Sequence, residues 1–159
     1  MGAVVSVGSA ATADFDTFYE QTRPGALRLA TLLTQDRTGA EDIVQEAFST
    51  MYRRWDSIEE PAAYLRTVIV NGVRTQHRRR EREKARLLKL GACGADAMHA
   101  DEIADALAVL PYRQRATIVL FFYADLPERE IAETLGCPVG TVKSLKSRAL
   151  ARLREAIDQ

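Results

Sequence analysis

The stretch LPEREIAETLGCPVGTVKSLKSRALARLREAID, from Leu126 to Asp158, contains two helical patterns separated by the letters GCPVG. The first pattern is short and has a single apolar face. Gly136 stands at its end, where a tight turn between two helices requires a left-handed residue. The pattern therefore predicts a helix-turn-helix in the last third of the chain.

The second of these helices has one apolar and one basic face. Its apolar residues recur at spacings of three and four, and at about 100° per residue the opposite side carries small residues and cations. Lys146 falls near the apolar face, at its rim. A recognition helix enters the major groove by its N-terminal half, where Lys, Arg, Ser and Thr reach phosphates and base edges. The predicted DNA contacts are Thr141, Lys143, Ser144, Ser147 and Arg148. A helical hairpin with a merely solvated basic face is the alternative.

Almost every periodic segment of the chain has a helical period, which predicts an all-α fold. The first helix is expected to begin near Asp14 and to be interrupted at Pro24. A later helix is expected to begin at Pro61 and to bend near Asn71 and Gly72. Two small helical domains joined by a flexible linker follow from these segments. The predicted boundaries are a flexible tail at 1–13, a first domain at 14–87, a linker at 88–100 and a second domain at 101–159.

Charge is distributed unevenly, although the formal net charge is zero. Residues 14–60 carry ten acidic and five basic side chains, a net of −5, whereas residues 74–89 carry eight basic and two acidic ones, a net of +6. Blocks of opposite sign predict two surfaces with different partners. The helix predicted from about Glu41 to Trp55 has a polar face formed by Asp42, Gln45, Glu46 and Ser49.

A basic segment, RTQHRRREREK from Arg74 to Lys84, follows an aromatic and apolar stretch. Aromatic side chains beside a cationic strip are typical of surfaces that bind single-stranded nucleic acid, because bases stack and phosphates need neutralising. Core packing of Trp55 and Tyr64, and a plainly solvated basic helix, remain alternatives.

The sequence offers no pattern for catalysis, for a metal or for a cofactor. Cys93 and Cys137 have no Cys or His at metal-ligand spacing, and the carboxylates near Glu41 lack the further ligands that a helical metalloenzyme requires. No apolar run reaches the roughly 18 to 20 residues of a membrane helix, so no membrane insertion is expected.

Two longer stretches carry a family resemblance. DIVQEAFSTMYRRWDSIEEPAAYLRTVIVN, from Asp42 to Asn71, resembles region 2 of bacterial RNA polymerase sigma factors. LPYRQRATIVLFFYADLPEREIAETLGCPVGTVKSLKSRALARLR, from Leu110 to Arg154, resembles region 4. Together, in this order, they resemble the extracytoplasmic-function (ECF) group of the sigma-70 family, over about residues 14–157. A plain helix-turn-helix regulator that never joins the polymerase is the rival interpretation.

The resemblance implies a role for each surface. The face at Asp42, Gln45, Glu46 and Ser49 would bind the clamp helices of the polymerase beta-prime subunit, and the second domain would meet the beta flap and read the −35 element as duplex. The segment around Asn71 resembles the loop that captures an unpaired base of the −10 element, although Thr75 stands where many relatives carry an acid. An anti-sigma factor is a further candidate partner, and action in the cytoplasm is implied. The residues expected at the −10 element are Trp55, Tyr64, Asn71, Arg74, His77, Arg78, Arg79 and Arg80.

Overall fold

The computed structural model describes residues 6–91 and 101–159, with side chains from residue 14 onward. These residues form seven α-helices and no strand, which confirms the all-α prediction. The predicted linker lies mostly outside the described residues, as do the first residues of the predicted tail and Cys93. The helices are α1 Ser6–Thr34, α2 Arg37–Arg54, α3 Pro61–Lys89, α4 Glu102–Ala108, α5 Tyr112–Ile118, α6 Glu128–Leu135 and α7 Val139–Ile157.

Helix α1 is longer and more continuous than the sequence predicted. It begins at Ser6 rather than near Asp14, and it passes through Pro24 without interruption. Proline inside a helix removes one backbone hydrogen bond and costs about 3 kcal/mol. The turns after Pro24 bury Leu29, Ala30 and Leu33 in the core. We attribute the continuity to this packing, which outweighs the local preference of a single proline.

Helices α1, α2 and α3 form the first helical unit. Leu33, Met51 and Ile69, one from each helix, are fully buried at its centre. Asp36 caps α2 by accepting a hydrogen bond of 3.1 Å from the backbone N–H of Gly39. The cap explains why α2 begins four residues before the start predicted at Glu41.

Helix α3 begins at Pro61, as predicted, and it continues through Asn71 and Gly72 as one unbroken α-helix. A Cβ atom at Gly72 would lie 3.0 Å from the side chain of Ile43 on α2. Glycine at this position thus permits a close approach of α2 and α3, and it does not mark a break in the helix.

Helices α4 to α7 form the second unit. It contains the predicted helix-turn-helix, formed by α6 and α7. Gly136 ends α6 with φ 63° and ψ 43°, the left-handed conformation expected for this glycine. Ile131 on α6 and Val142 on α7 are fully buried, and Leu120 supports them from the π-helical turn Val119–Tyr123 that follows α5. These contacts fix the two helices on a common apolar core.

The two units pack against each other. The guanidinium of Arg115 on α5 donates one hydrogen bond of 3.1 Å to the Leu33 carbonyl at the end of α1 and another of 3.1 Å to the Leu110 carbonyl. Arg28 on α1 forms an ion pair with Asp101, the residue that caps α4. The described part of the chain therefore adopts a closed arrangement, in which the second unit rests on α1 and α3.

Candidate polymerase and nucleic-acid interfaces

Helix α2 brings the predicted polymerase contacts together. Asp42, Gln45, Glu46 and Ser49 are all exposed on its outer face, opposite the buried residues of the same helix. Glu46 also lies 3.8 Å from Arg53, two helical turns further on. The sequence periodicity of α2 was therefore sufficient to place this surface.

An aromatic groove adjoins this polar face, and sequence reasoning missed it. Gln45 and Ser49 line a surface cavity of 630 Å³ together with Tyr19, Phe48 and Tyr52. Tyr52 is 57% exposed, which is high for a large aromatic side chain. A signal was available, because Tyr52 follows Ser49 by three positions and Gln45 by seven and so had to share their face.

Helix α3 carries a continuous polar stripe that we call the α3 track. Its residues follow one another at spacings of three and four, so they share one side of the helix over about 21 Å. Three cavities, of 490, 560 and 620 Å³, succeed one another along it. The members of the track are Tyr64, Thr67, Asn71, Arg74 and Arg78.

The first cavity of the track lies beside a loop. Residues 58–60 connect the short 3₁₀ turn Trp55–Ser57 to α3, and with Ser57 they line the 490 Å³ cavity together with Tyr64 and Thr67. Asn71 does not belong to a loop, contrary to the expectation from the resemblance. It lies in the middle of α3, and its side-chain oxygen accepts a hydrogen bond of 2.7 Å from Arg74.

Four other residues that were predicted at the −10 element lie off the track. Trp55 packs into an aromatic cluster, with its ring centroid 5.3 Å from those of Phe15 and Phe18, as the core-packing alternative predicted. Arg80 forms an ion pair with Asp36, which ties α3 to the start of α2. Arg79 is exposed. Of the predicted group, only Tyr64, Asn71, Arg74 and Arg78 are brought together.

His77, the fourth residue predicted at the −10 element that lies off the track, is at the contact between the two units. Its ring stacks on Tyr112 of α5 with the centroids 4.4 Å apart. Burial lowers the pKa of His77 below its ordinary value, and nearby Arg115 lowers it further, against an opposing effect of Glu81. Protonation of His77 is thus disfavoured while the units are in contact.

The second unit faces the middle and the end of the α3 track, although Asn71 and Arg78 remain exposed. Glu130 of α6 lies 3.9 Å from Arg66, and Glu130 and Glu133 line the 560 Å³ cavity opposite Asn71 and Arg74. Carboxylates thus face the stretch of α3 where a nucleic acid would present its phosphates.

Helix α7 presents the predicted duplex contacts to solvent. Lys143, Ser144, Ser147 and Arg148 are exposed, and Thr141 is half-buried at the start of the helix. Lys146 differs from these residues, because its ammonium group lies 2.6 Å from the carboxylate of Glu128 on α6. This hydrogen bond lowers the pKa of Glu128. The position near the apolar face that the helical wheel gave for Lys146 is confirmed.

Within the described ranges, no three His, Cys, Asp or Glu side chains are grouped so that they could hold a metal ion. Among the described helices, none has the length and apolar character needed to cross a membrane. The features that remain are a cationic helix-turn-helix, a second basic and aromatic helix and an exposed polar face. Such surfaces are typical of nucleic-acid-binding proteins.

Comparison with known proteins identifies the family. The family models for Sigma-70 region 2 and Sigma-70 region 4 match residues 18–83 and 100–153. An RNA polymerase sigma-E factor of Streptomyces coelicolor is 36% identical over 91% of this chain and 86% of its own length. The ECF sigma factor SigL of Mycobacterium tuberculosis is 30% identical over 100% of this chain and 97% of its own.

A solved structure supports the same conclusion. The sigma factor RpoE of Bartonella quintana, crystallised with the anti-sigma factor NepR, matches with a TM-score of 0.76 and 29% identity, over 91% of this chain and 97% of RpoE. The chain belongs to the ECF group of the sigma-70 family of RNA polymerase sigma factors.

Proposed function

We propose that this chain is a promoter-specificity subunit that binds core RNA polymerase and directs it to promoters with two recognised elements. It carries out no covalent chemistry and acts in the cytoplasm. The observation that carries the proposal is the presence of three separate surfaces suited to three partners. They are the polar face of α2, the α3 track and the exposed N-terminal half of α7.

The polar face of α2 is the proposed contact for the clamp helices of the polymerase beta-prime subunit. Asp42, Gln45, Glu46 and Ser49 offer oxygen acceptors on one exposed stripe, and the aromatic groove beside them offers apolar area. Interfaces commonly combine such a polar rim with aromatic anchors, which contribute most of the binding energy.

A double variant tests this contact. Asp42→Ala with Gln45→Ala is expected to weaken binding of core polymerase by about 30-fold, because two central contacts of about 1 kcal/mol each are removed. Asp16→Ala, exposed on α1 and outside the three proposed surfaces, is the matched control and should bind as the unmodified chain does. Binding of duplex DNA should be unchanged in both proteins. Equal polymerase affinity in the double variant and in the control would contradict this docking face.

The α3 track is the proposed site for the separated strand of the −10 element. Tyr64 offers a ring for stacking beside the loop cavity, and Arg74 and Arg78 lie further along for phosphates. Removing a base from the stack costs a few kcal/mol, so a pocket has to compensate. The geometry favours the loop cavity for that base, since Asn71 lies within a regular helix.

Helix α7 is the proposed reader of the −35 element as duplex DNA. Its exposed Lys143, Ser144, Ser147 and Arg148 lie in the half of the helix that enters a major groove in this class of motif. Phosphate contacts supply most of the affinity, so binding should weaken steeply as salt is raised. The beta flap of polymerase is proposed as the protein partner of this second unit.

In the closed arrangement, α6 lies across a cavity from the part of the track around Asn71 and Arg74 and presents the carboxylates of Glu130 and Glu133 to it. We therefore propose that the two units separate before the −10 strand binds and that polymerase holds them apart. The segment predicted as a flexible linker, residues 88–100, would permit this separation. Once one unit has bound its promoter element, binding of the other unit becomes intramolecular, so the two contacts together bind more tightly than either alone. An anti-sigma factor is a proposed partner as well, since the Bartonella quintana relative was crystallised with one.

A further inference from the structure

Lys146 lies on the helix that we propose as the −35 reader, yet its charge is directed into the protein. Its ammonium group is 2.6 Å from the Glu128 carboxylate and 4.1 Å from the centre of the Phe121 ring. The side chains of Lys146 and Glu128 are each only 23% exposed. Lys143, one helical turn earlier on α7, is exposed. The two lysines are only three positions apart on one helix, yet their environments differ.

The pair joins two helices that are also joined elsewhere. Glu128 is the first residue of α6, whereas Lys146 lies in the middle of α7. The turn through Gly136 connects the C-terminal end of α6 to the N-terminal end of α7. The helix-turn-helix is thus held at two separated points, and two points of attachment restrict the angle between the helices. The Phe121 ring fixes the ammonium group further through its electrostatic attraction for a cation.

We infer that Lys146 is a positioning residue, which with Glu128 sets the angle of the recognition helix, and that it is not a phosphate contact. This inference rests on the proposed reading of the −35 element by α7. Base edges are read by hydrogen bonds with narrow geometric limits, so supporting residues must hold the helix to within about 0.5 Å. Phosphate contacts tolerate displacement better, because long cationic side chains adjust. Loss of the pair should therefore affect specificity more than overall affinity.

A phosphate contact and a positioning residue should change the salt dependence of DNA binding differently. A cation that neutralises a phosphate releases counterions, and each such contact contributes about −0.9 to the slope of log affinity against log salt. A residue whose charge is already paired within the protein contributes little to this slope. The slope therefore separates a contact from a positioning residue, even where both substitutions weaken binding.

The experiment compares four variants of the full chain with the unmodified chain. The affinity of each variant is measured for two duplexes. One is a short duplex that the unmodified chain enriches from a randomised pool, and the other is a scrambled duplex of the same composition. We expect Lys146→Met and Glu128→Gln each to lower the ratio of the two affinities by about three- to tenfold, with the slope unchanged. Lys146→Arg should retain most of the ratio. Lys143→Met, the matched control, should reduce the slope by about 0.9 for both duplexes.

Glu128→Gln distinguishes the alternatives most sharply. If Lys146 contacted phosphates, loss of its internal partner would free it and tighten binding to both duplexes. Tighter binding in Glu128→Gln, or a slope reduced by about 0.9 in Lys146→Met with an unchanged ratio, would overturn the inference.

Amide hydrogen exchange tests, without DNA, whether the Lys146–Glu128 pair holds α6 against α7. Both pair variants should exchange faster than the unmodified chain at the start of α6 and the middle of α7, and equal exchange would overturn the inference. If no duplex is enriched from the pool, the proposed −35 reading fails, and the exchange result still decides whether the pair holds the two helices.

Discussion

Replacing Arg115 by methionine should open the closed arrangement. The Arg115 guanidinium is largely buried and donates two hydrogen bonds to backbone carbonyls, but only the bond to Leu33 joins the two units. A hydrogen bond from a charged group contributes about 1.5 to 3 kcal/mol, and its loss leaves the Leu33 carbonyl unpaired only while the units are in contact. The closed state should therefore lose about 1.5 to 3 kcal/mol relative to the open one, which is roughly 10- to 150-fold in the equilibrium.

The assay is the affinity of the chain for a single-stranded −10 oligonucleotide. When the binding-competent state is a small fraction of the population, the apparent affinity rises in proportion to that fraction. Arg115→Met should thus bind the strand about 10- to 150-fold more tightly. Energy transfer between fluorophores on exposed positions of α2 and α7 should fall in parallel. Arg129→Met is the matched control, because Arg129 is exposed on the second unit and pairs with Glu133 of its own helix.

The direction of the result is decisive. Loss of a cation by itself weakens binding to a polyanion, so Arg115→Met and Arg129→Met would change affinity slightly and in the same direction if the interface were irrelevant. Unchanged or weaker strand binding in Arg115→Met, with unchanged energy transfer, would refute the argument that the second unit restricts access to the α3 track.

Three further results are expected. Arg148→Ala should weaken binding of the −35 duplex by about tenfold, as measured by fluorescence anisotropy, and should leave polymerase binding intact; unchanged duplex affinity would contradict its assignment. Because burial lowers the pKa of His77, the closed state is most stable above its ordinary value of 6.5 and loses stability below it. Strand binding should therefore tighten as the pH is lowered from about 7.5 to about 5.5, and His77→Gln should remove this part of the pH dependence. Asp36→Ala should lower the free energy of unfolding by about 1 to 2 kcal/mol in urea titrations, because the cap at Gly39 and the ion pair with Arg80 are lost; an unchanged midpoint would show that α2 does not need this cap.

Periodicity predicted most of the helices and the outward faces of α2 and α7, because each of those faces depends only on the spacing of residues within one helix. It also predicted the turn at Gly136, since that conformation is set locally. The local signal at Pro24 was misleading, because helix packing from distant parts of the chain overrides it.

The functional site was predicted less completely for the same reason. A run of cations gives no information about which of its members already have partners within the protein. Arg80 is paired with Asp36 from 44 positions away, and Lys146 is paired with Glu128 from another helix. The stacking of His77 on Tyr112 requires the two units to meet, which no spacing within one segment can show.

Run-off transcription tests the central claim most directly. Purified core polymerase would be supplied with fragmented genomic DNA, with and without this chain. The account predicts discrete new start sites that share two upstream elements and that disappear with the Asp42→Ala, Gln45→Ala double variant. An absence of new transcripts, while duplex DNA is still bound, would contradict it and would identify the chain as a DNA-binding regulator that does not act as a polymerase subunit.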